Sequence, residues 1–177
     1  MSRFMGTHDL PESSMINWIS DDMSYLKTLP QRSKDKKNGI YSPLKQAHDA
    51  RLLIVFGHAM IEGFTSYVAT RVNMPYDTKT IELIKHLCYP PEFLTVDSLD
   101  RLAALLDGIR ELRHIIAHGL TDAIGRRMDQ KIGRITNAGL PIDPRQLTEE
   151  HFKVSLEALA NVTNILGAGL VNYNDPK

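Results

Sequence analysis

The sequence predicts an all-α fold: a bundle of about five helices, with an irregular stretch or short β-hairpin inserted after the fourth. Two observations carry this. Apolar residues recur at intervals of three and four along most of the chain, the spacing of one face of a helix, and the prolines fall between those stretches rather than inside them. With 177 residues, 42% of them hydrophobic, the chain reads as one domain, residues 1–177, around one core.

Met15, Ile16, Ile19, Met23 and Leu26 mark a first helix over residues 12–29, which Pro30 ends. Gln31–Gly39 is polar and basic, and Ser42-Pro43 extends this loop. From Leu44 to Val72 the sequence is helix-compatible almost throughout. Its middle, LLIVFGHAMI, is apolar on all sides, as in a helix at the centre of a bundle, and Asn73 and Pro75 close it. A shorter helix covers Asp77–Cys88, stopped by Tyr89-Pro90-Pro91. Asp97 or Ser98 caps a fourth helix with a stripe through Leu99, Leu102, Leu106, Ile109 and Leu112, and Gly119 stands where a terminal glycine ends it. The next 26 or so residues are rich in glycine and proline, and Arg127–Thr136 holds enough strand formers for a hairpin. Thr148, followed by Glu149 and Glu150, caps a last helix.

Lys+Arg and Asp+Glu both number 21, so bulk charge does not suit wrapping of duplex DNA, although a local basic site remains open. One cysteine, Cys88, excludes an internal disulfide framework and a cysteine-rich zinc site. The polar start has no signal-peptide core, and no uninterrupted apolar run approaches the ~20 residues of a membrane span. The expectation is a soluble, cytoplasmic protein without a membrane partner.

The segment ELRHIIAHG, Glu111–Gly119, places an arginine and two histidines in an apolar helix end. At about 100° per residue, Glu111, His114 and His118 share a face, with Asp107 above them. Three readings compete. Cationic groups in a last turn interact favourably with the helix dipole. A metal could use His114 and His118 with Glu111. A di-iron bundle, however, needs a second E-x-x-H, whereas Glu82 and His86 are four apart, and a zinc hydrolase needs H-E-x-x-H, which is absent. A phosphate site needs an arginine, whose fork matches phosphate oxygens, and a histidine that moves a proton near neutral pH. RNA supplies its own nucleophile, the 2′-hydroxyl, so a metal-free RNase needs little more.

Arg113–His118, R-H-I-I-A-H, resembles the R-x4–6-H signature of the HEPN superfamily (higher eukaryotes and prokaryotes nucleotide-binding domains), in which a polar residue such as His114 commonly follows the arginine. The apolar helix before it, the glycine after it and the all-α class also suit that family. The resemblance implies a metal-independent endoribonuclease that needs no cofactor, acts on RNA as a toxin or in phage defence, and is held in check by an antitoxin in some cases. It implies a homodimer in which two motifs face one another across one cleft. On that pattern Arg113 holds the scissile phosphate, His118 is general base or acid, and His114 supports it. The products are a 2′,3′-cyclic phosphate and a 5′-hydroxyl. Other members only bind nucleotides or partner proteins, which leaves a non-catalytic module as the alternative.

Glu62 lies one turn from His58 on the most apolar helix. It either bonds His58 locally or faces the motif and positions Arg113 or a histidine. Glu111 is a second supporting carboxylate. Arg126, Arg127, Lys131 and Arg134 follow the motif and form a candidate RNA-backbone patch; Arg32, Lys34, Lys36 and Lys37 form another, around Asp35. Aromatic residues in loop-like positions are few (Tyr76, Tyr89, Phe93), so sequence-specific recognition is not expected. Trp18 reads as core or dimer contact.

Overall fold

The computed structural model describes residues 12–34, 38–87, 95–122 and 128–174, and all regular structure among them is helical. Helix α1 (Glu12–Lys27) is followed by a short α2 (Leu29–Ser33). Pro30 therefore does not end the first helical region; it occupies the first turn of α2, where its missing N–H costs nothing. Helix α3 (Pro43–Leu52) runs through a π-helical turn (Leu53–Gly57) into α4 (His58–Arg71). Ser42 caps α3, its hydroxyl accepting from the Lys45 N–H. At the far end Asn73 takes φ 58°, and the Met74 N–H bonds the Ala69 carbonyl at 2.8 Å while Asn73 bonds Thr70. This is a Schellman closure with asparagine in the left-handed position.

Helix α5 (Thr80–His86) is shorter than its sequence pattern. Helix α6 (Val96–Asp122) starts before Asp97, because Thr95 Oγ1 accepts from the Ser98 N–H at 3.2 Å and is the cap. It also runs through Gly119 rather than ending there. The expected hairpin is likewise corrected: Met128–Asn137 is helix α7, whose Met128, Ile132 and Ile135 share one helical face. Gly139 at φ 71° closes it, with Leu140 N–H on the Ile135 carbonyl. A 3-10 turn (Pro144–Gln146) leads to α8 (Glu149–Asn174). The N–H of Thr148, before α8, donates to His151 Nδ1 at 3.0 Å, a histidine in the place that glutamate takes in a capping box.

The long helix Pro43–Arg71 is the axis of the bundle. Leu53, Ile54, Ile61, Phe64 and Val68 are almost fully buried, facing Ile109 and Leu112 of α6 and Leu159, Val162 and Leu166 of α8. Each such side chain contributes about 1.5–3 kcal/mol by leaving water. Trp18 does not join them; it is 60% exposed. Two helices, Pro43–Arg71 and Glu149–Tyr173, are long and apolar enough to cross a membrane by length and composition. A search for uninterrupted apolar runs missed both. Of their most apolar 18-residue stretches, 56% and 39% respectively is buried inside the bundle.

Glycine sets two close approaches. A Cβ on Gly108 would overlap Ala138 Cβ and sit 3.1 Å from the Arg134 carbonyl, so α6 and α7 meet backbone to backbone there. A Cβ on Gly57 would come within 2.6 Å of Leu159 Cδ1, which seats the π turn against α8.

Candidate functional site

Helix α6 presents Arg113 towards α4, where its Nη1 donates to Glu62 Oε2 at 2.7 Å. The pair is partly open to solvent, with the Arg113 side chain 32% exposed and that of Glu62 48%. The same carboxylate oxygen stands 3.4 Å from Nδ1 of His58, one turn earlier on α4. That contact lies within ion-pair range but lacks hydrogen-bond geometry, and the buried Nδ1 has no hydrogen-bond partner. Burial pushes the His58 imidazole below its usual range; Glu62 opposes the shift, while Arg113 and Arg110 reinforce it. His58 is therefore neutral near pH 7, and the cluster carries one cation and one anion.

His114 and His118 form their own pair, one turn apart, with ring centroids 4.7 Å apart and planes tilted by 51°. His118 is exposed and His114 half-buried. Among the described residues no hydrogen bond or ring contact joins Arg113 to His118, so the structure resolves the motif into two adjacent parts: an arginine held by Glu62, and a histidine pair.

Glu111 belongs to neither part. It is 8% exposed, and its Oε1 accepts from Arg134 Nη1 at 2.6 Å and Arg110 Nη2 at 3.2 Å. Burial works against its charge, yet the bonds from Arg134 and Arg110 prevail and hold its carboxyl below the usual range. Glu111 thus fastens α7 to α6. Arg134, placed by the sequence in an RNA patch, is the other half of that fastening. Lys131 is half-buried on α7, while Arg126 and Arg127 lie outside the described residues. In the first patch Arg32 leans over Tyr25 and Lys34 over Tyr41, 5.1 and 5.9 Å from the ring centroids. Lys36, Lys37 and Asp35, like Cys88, Tyr89 and Phe93, lie outside the described residues. Among the described residues no three His, Cys, Asp or Glu side chains gather as a metal-ligand group.

Beside Glu62 a cleft of about 690 Å³ opens between α4, α5 and α6, with Arg134 of α7 at its edge. Its wall includes His58, Glu62, Thr65, Tyr76, Thr80 and Asp107. The Thr65 and Thr80 hydroxyls are 3.0 Å apart, and Asp107 pairs with Arg110 at 3.2 Å. Sequence reasoning did not find this cleft. The one available signal was the His58–Glu62 spacing on an apolar helix; the Tyr76–Thr80 side depends on how the α4–α5 connection folds back. Comparison with known proteins adds no relative: no family model, no curated protein and no solved structure matches the chain.

Proposed function

We propose that the protein is a metal-independent endoribonuclease of HEPN type, with Arg113, His114 and His118 as its working residues. The observation that carries this reading is the arginine itself. Its guanidinium is partly exposed and oriented by Glu62 of a second helix, on the same stretch of α6 as an accessible histidine pair. A pre-oriented fork is what phosphate binding asks of arginine, and an exposed imidazole can take a proton near neutral pH.

In the proposed reaction the 2′-oxygen attacks the adjoining phosphorus and its proton passes to His118. Arg113 stabilises the charge that builds on the phosphoryl oxygens, and the P–O5′ bond breaks as the leaving oxygen takes a proton. The products are a 2′,3′-cyclic phosphate and a 5′-hydroxyl. Another acid must protonate the leaving group, and His114 or a histidine from a second copy serves. The exposed face of the long helix suits a second copy: Phe56, 60% exposed, lines up at helical spacing with Ala59 and Gly63, beside Glu62. Use as a toxin or in phage defence, with an antitoxin as partner in the cytoplasm, follows from the HEPN resemblance.

A specific observation favours a second reading, a non-catalytic module that binds nucleotide or a partner protein. The Arg113 charge is already matched by Glu62, and the chain has zero formal net charge to draw RNA in. Incubation of a mixed RNA pool with purified protein in excess EDTA, beside His118→Ala, separates the two. Cleavage by the wild type alone, leaving cyclic-phosphate ends, supports the nuclease. Intact RNA with folded protein favours the module.

A further inference from the structure

The cleft between α4, α5 and α6 lies beside Arg113 but outside the motif, and its chemistry differs from that of a phosphate site. Its wall is balanced in charge: Glu62, Asp77, Glu82 and Asp107 stand with Lys79, Lys85, Arg110 and Arg134. A phosphate would meet repulsion there as well as attraction, with no net gain. A flat neutral ring that donates hydrogen bonds would meet no such repulsion. The volume falls within the range of about 300–1,000 Å³ of small-ligand sites.

Three observations favour an aromatic heterocycle. Tyr76 is 74% exposed at the cleft edge. It is held there by the turn behind it, in which the Thr78 N–H and hydroxyl both bond the Pro75 carbonyl, at 3.0 and 2.6 Å. An exposed ring at a cleft edge is a stacking platform. Second, His58, more than nine-tenths buried, lines the cleft and backs Glu62, its Nδ1 3.4 Å from Oε2. Third, Glu62 Oε2 takes both the Arg113 and His58 contacts, so Oε1 has no protein partner among the described residues. A half-exposed carboxylate oxygen can accept from a ligand N–H in place of water.

We infer that this cleft is a base subsite: it takes one unpaired nucleobase carrying an exocyclic amine, from the RNA strand whose phosphate lies at Arg113. Glu62 is the shared wall, reading the base with one oxygen and orienting the arginine with the other. The inference rests on the ribonuclease reading for its ligand. It adds a selectivity for adenine, guanine or cytosine over uracil that the sparse aromatic content of the sequence does not suggest.

The test separates binding from cleavage. Fluorescein-labelled oligoadenylate and oligouridylate, 2′-O-methylated throughout so that no 2′-hydroxyl can attack, are titrated with the full-length protein and followed by anisotropy. Wild type is expected to bind the adenylate about tenfold more tightly, the scale of one hydrogen bond to a charged group. Tyr76→Ala is expected to weaken adenylate binding about tenfold, and Tyr76→Phe to retain it; at so exposed a position neither disturbs the core. Equal affinities for the two strands, or a preference that survives Tyr76→Ala, overturn the subsite. Cleavage of ordinary RNA by the same preparations tells the two failures apart. Cleavage in EDTA without base preference overturns the subsite and supports the nuclease. Preference without cleavage supports the subsite and overturns the nuclease. No binding of either strand overturns the subsite, and with ordinary RNA left intact it overturns the nuclease too.

Discussion

Arg113 is already held by a carboxylate, and that contact sets what substitution there can reveal. Lysine keeps the charge but loses the two-pronged donor, so on the ribonuclease reading Arg113→Lys is expected to slow single-turnover cleavage about 100-fold. A variant that cleaves at the wild-type rate removes Arg113 from the chemistry. Thermal stability should barely change, because a half-exposed ion pair is worth less than about 1 kcal/mol. His58 makes a different forecast, in pH. Its folded-state pKa is depressed by burial, so below about pH 6.5 the unfolded chain binds a proton that the folded protein resists. Stability therefore falls as pH drops from 7 towards 5. His58→Gln should flatten that decline in melting temperature, and parallel curves for the two proteins would show that His58 does not drive it.

Among the helices, α7 best shows what the sequence disclosed and what it hid. The long helix, α6 and α8 were legible because each carries an apolar stripe several turns long, and Asn73 ends the long helix as local grammar predicts; the bounds of α6 were not, since Thr95 caps it and it runs through Gly119. In α7, Gly133 and the neighbouring glycines masked a stripe of Met128, Ile132 and Ile135, and Gly139 is its terminator rather than a sign of loop. Periodicity also assigned Glu111 to the histidine face, because it records angles on one helix and not which partner a carboxylate reaches on another. Arg134 decided that, 23 residues away. Gly108→Ala tests the contact beneath. Alanine favours a helix by about 1 kcal/mol over glycine, yet here its methyl enters the Ala138 side chain. The net expectation is a loss of about 1–3 kcal/mol, with amide protection failing first across 128–137 in hydrogen exchange. A stabilised variant would show that α7 yields easily. Glu111→Gln should loosen the same helix by about 1–2 kcal/mol in chemical denaturation, by weakening charged hydrogen bonds rather than by creating a cavity.

At the scale of the molecule, surface composition bears on assembly. Zero net charge gives no long-range repulsion between copies, and Phe56 stands exposed on the most buried helix of the bundle. On the dimer reading, sedimentation equilibrium finds dimers, and Phe56→Glu raises their dissociation constant about tenfold or more while the helical circular dichroism stays unchanged. Monomers at every wild-type concentration would leave a shared cleft without a basis. Phe56 itself lies in the π turn Leu53–Gly57. A π turn spreads one extra residue through a helix that otherwise keeps its 3.6-residue repeat, so it divides Pro43–Arg71 into two segments whose faces are offset by roughly 100°. The first segment addresses the core with its own stripe; the second is turned so that His58, Glu62 and Thr65 meet α5 and α6. Winding 53–57 as ordinary α turns with every residue kept would swing Glu62 by roughly 100° away from Arg113, whereas deleting one of those residues would leave a regular helix that keeps the aim. The site thus depends on a turn that absorbs one residue rather than on the strength of the helix that carries it.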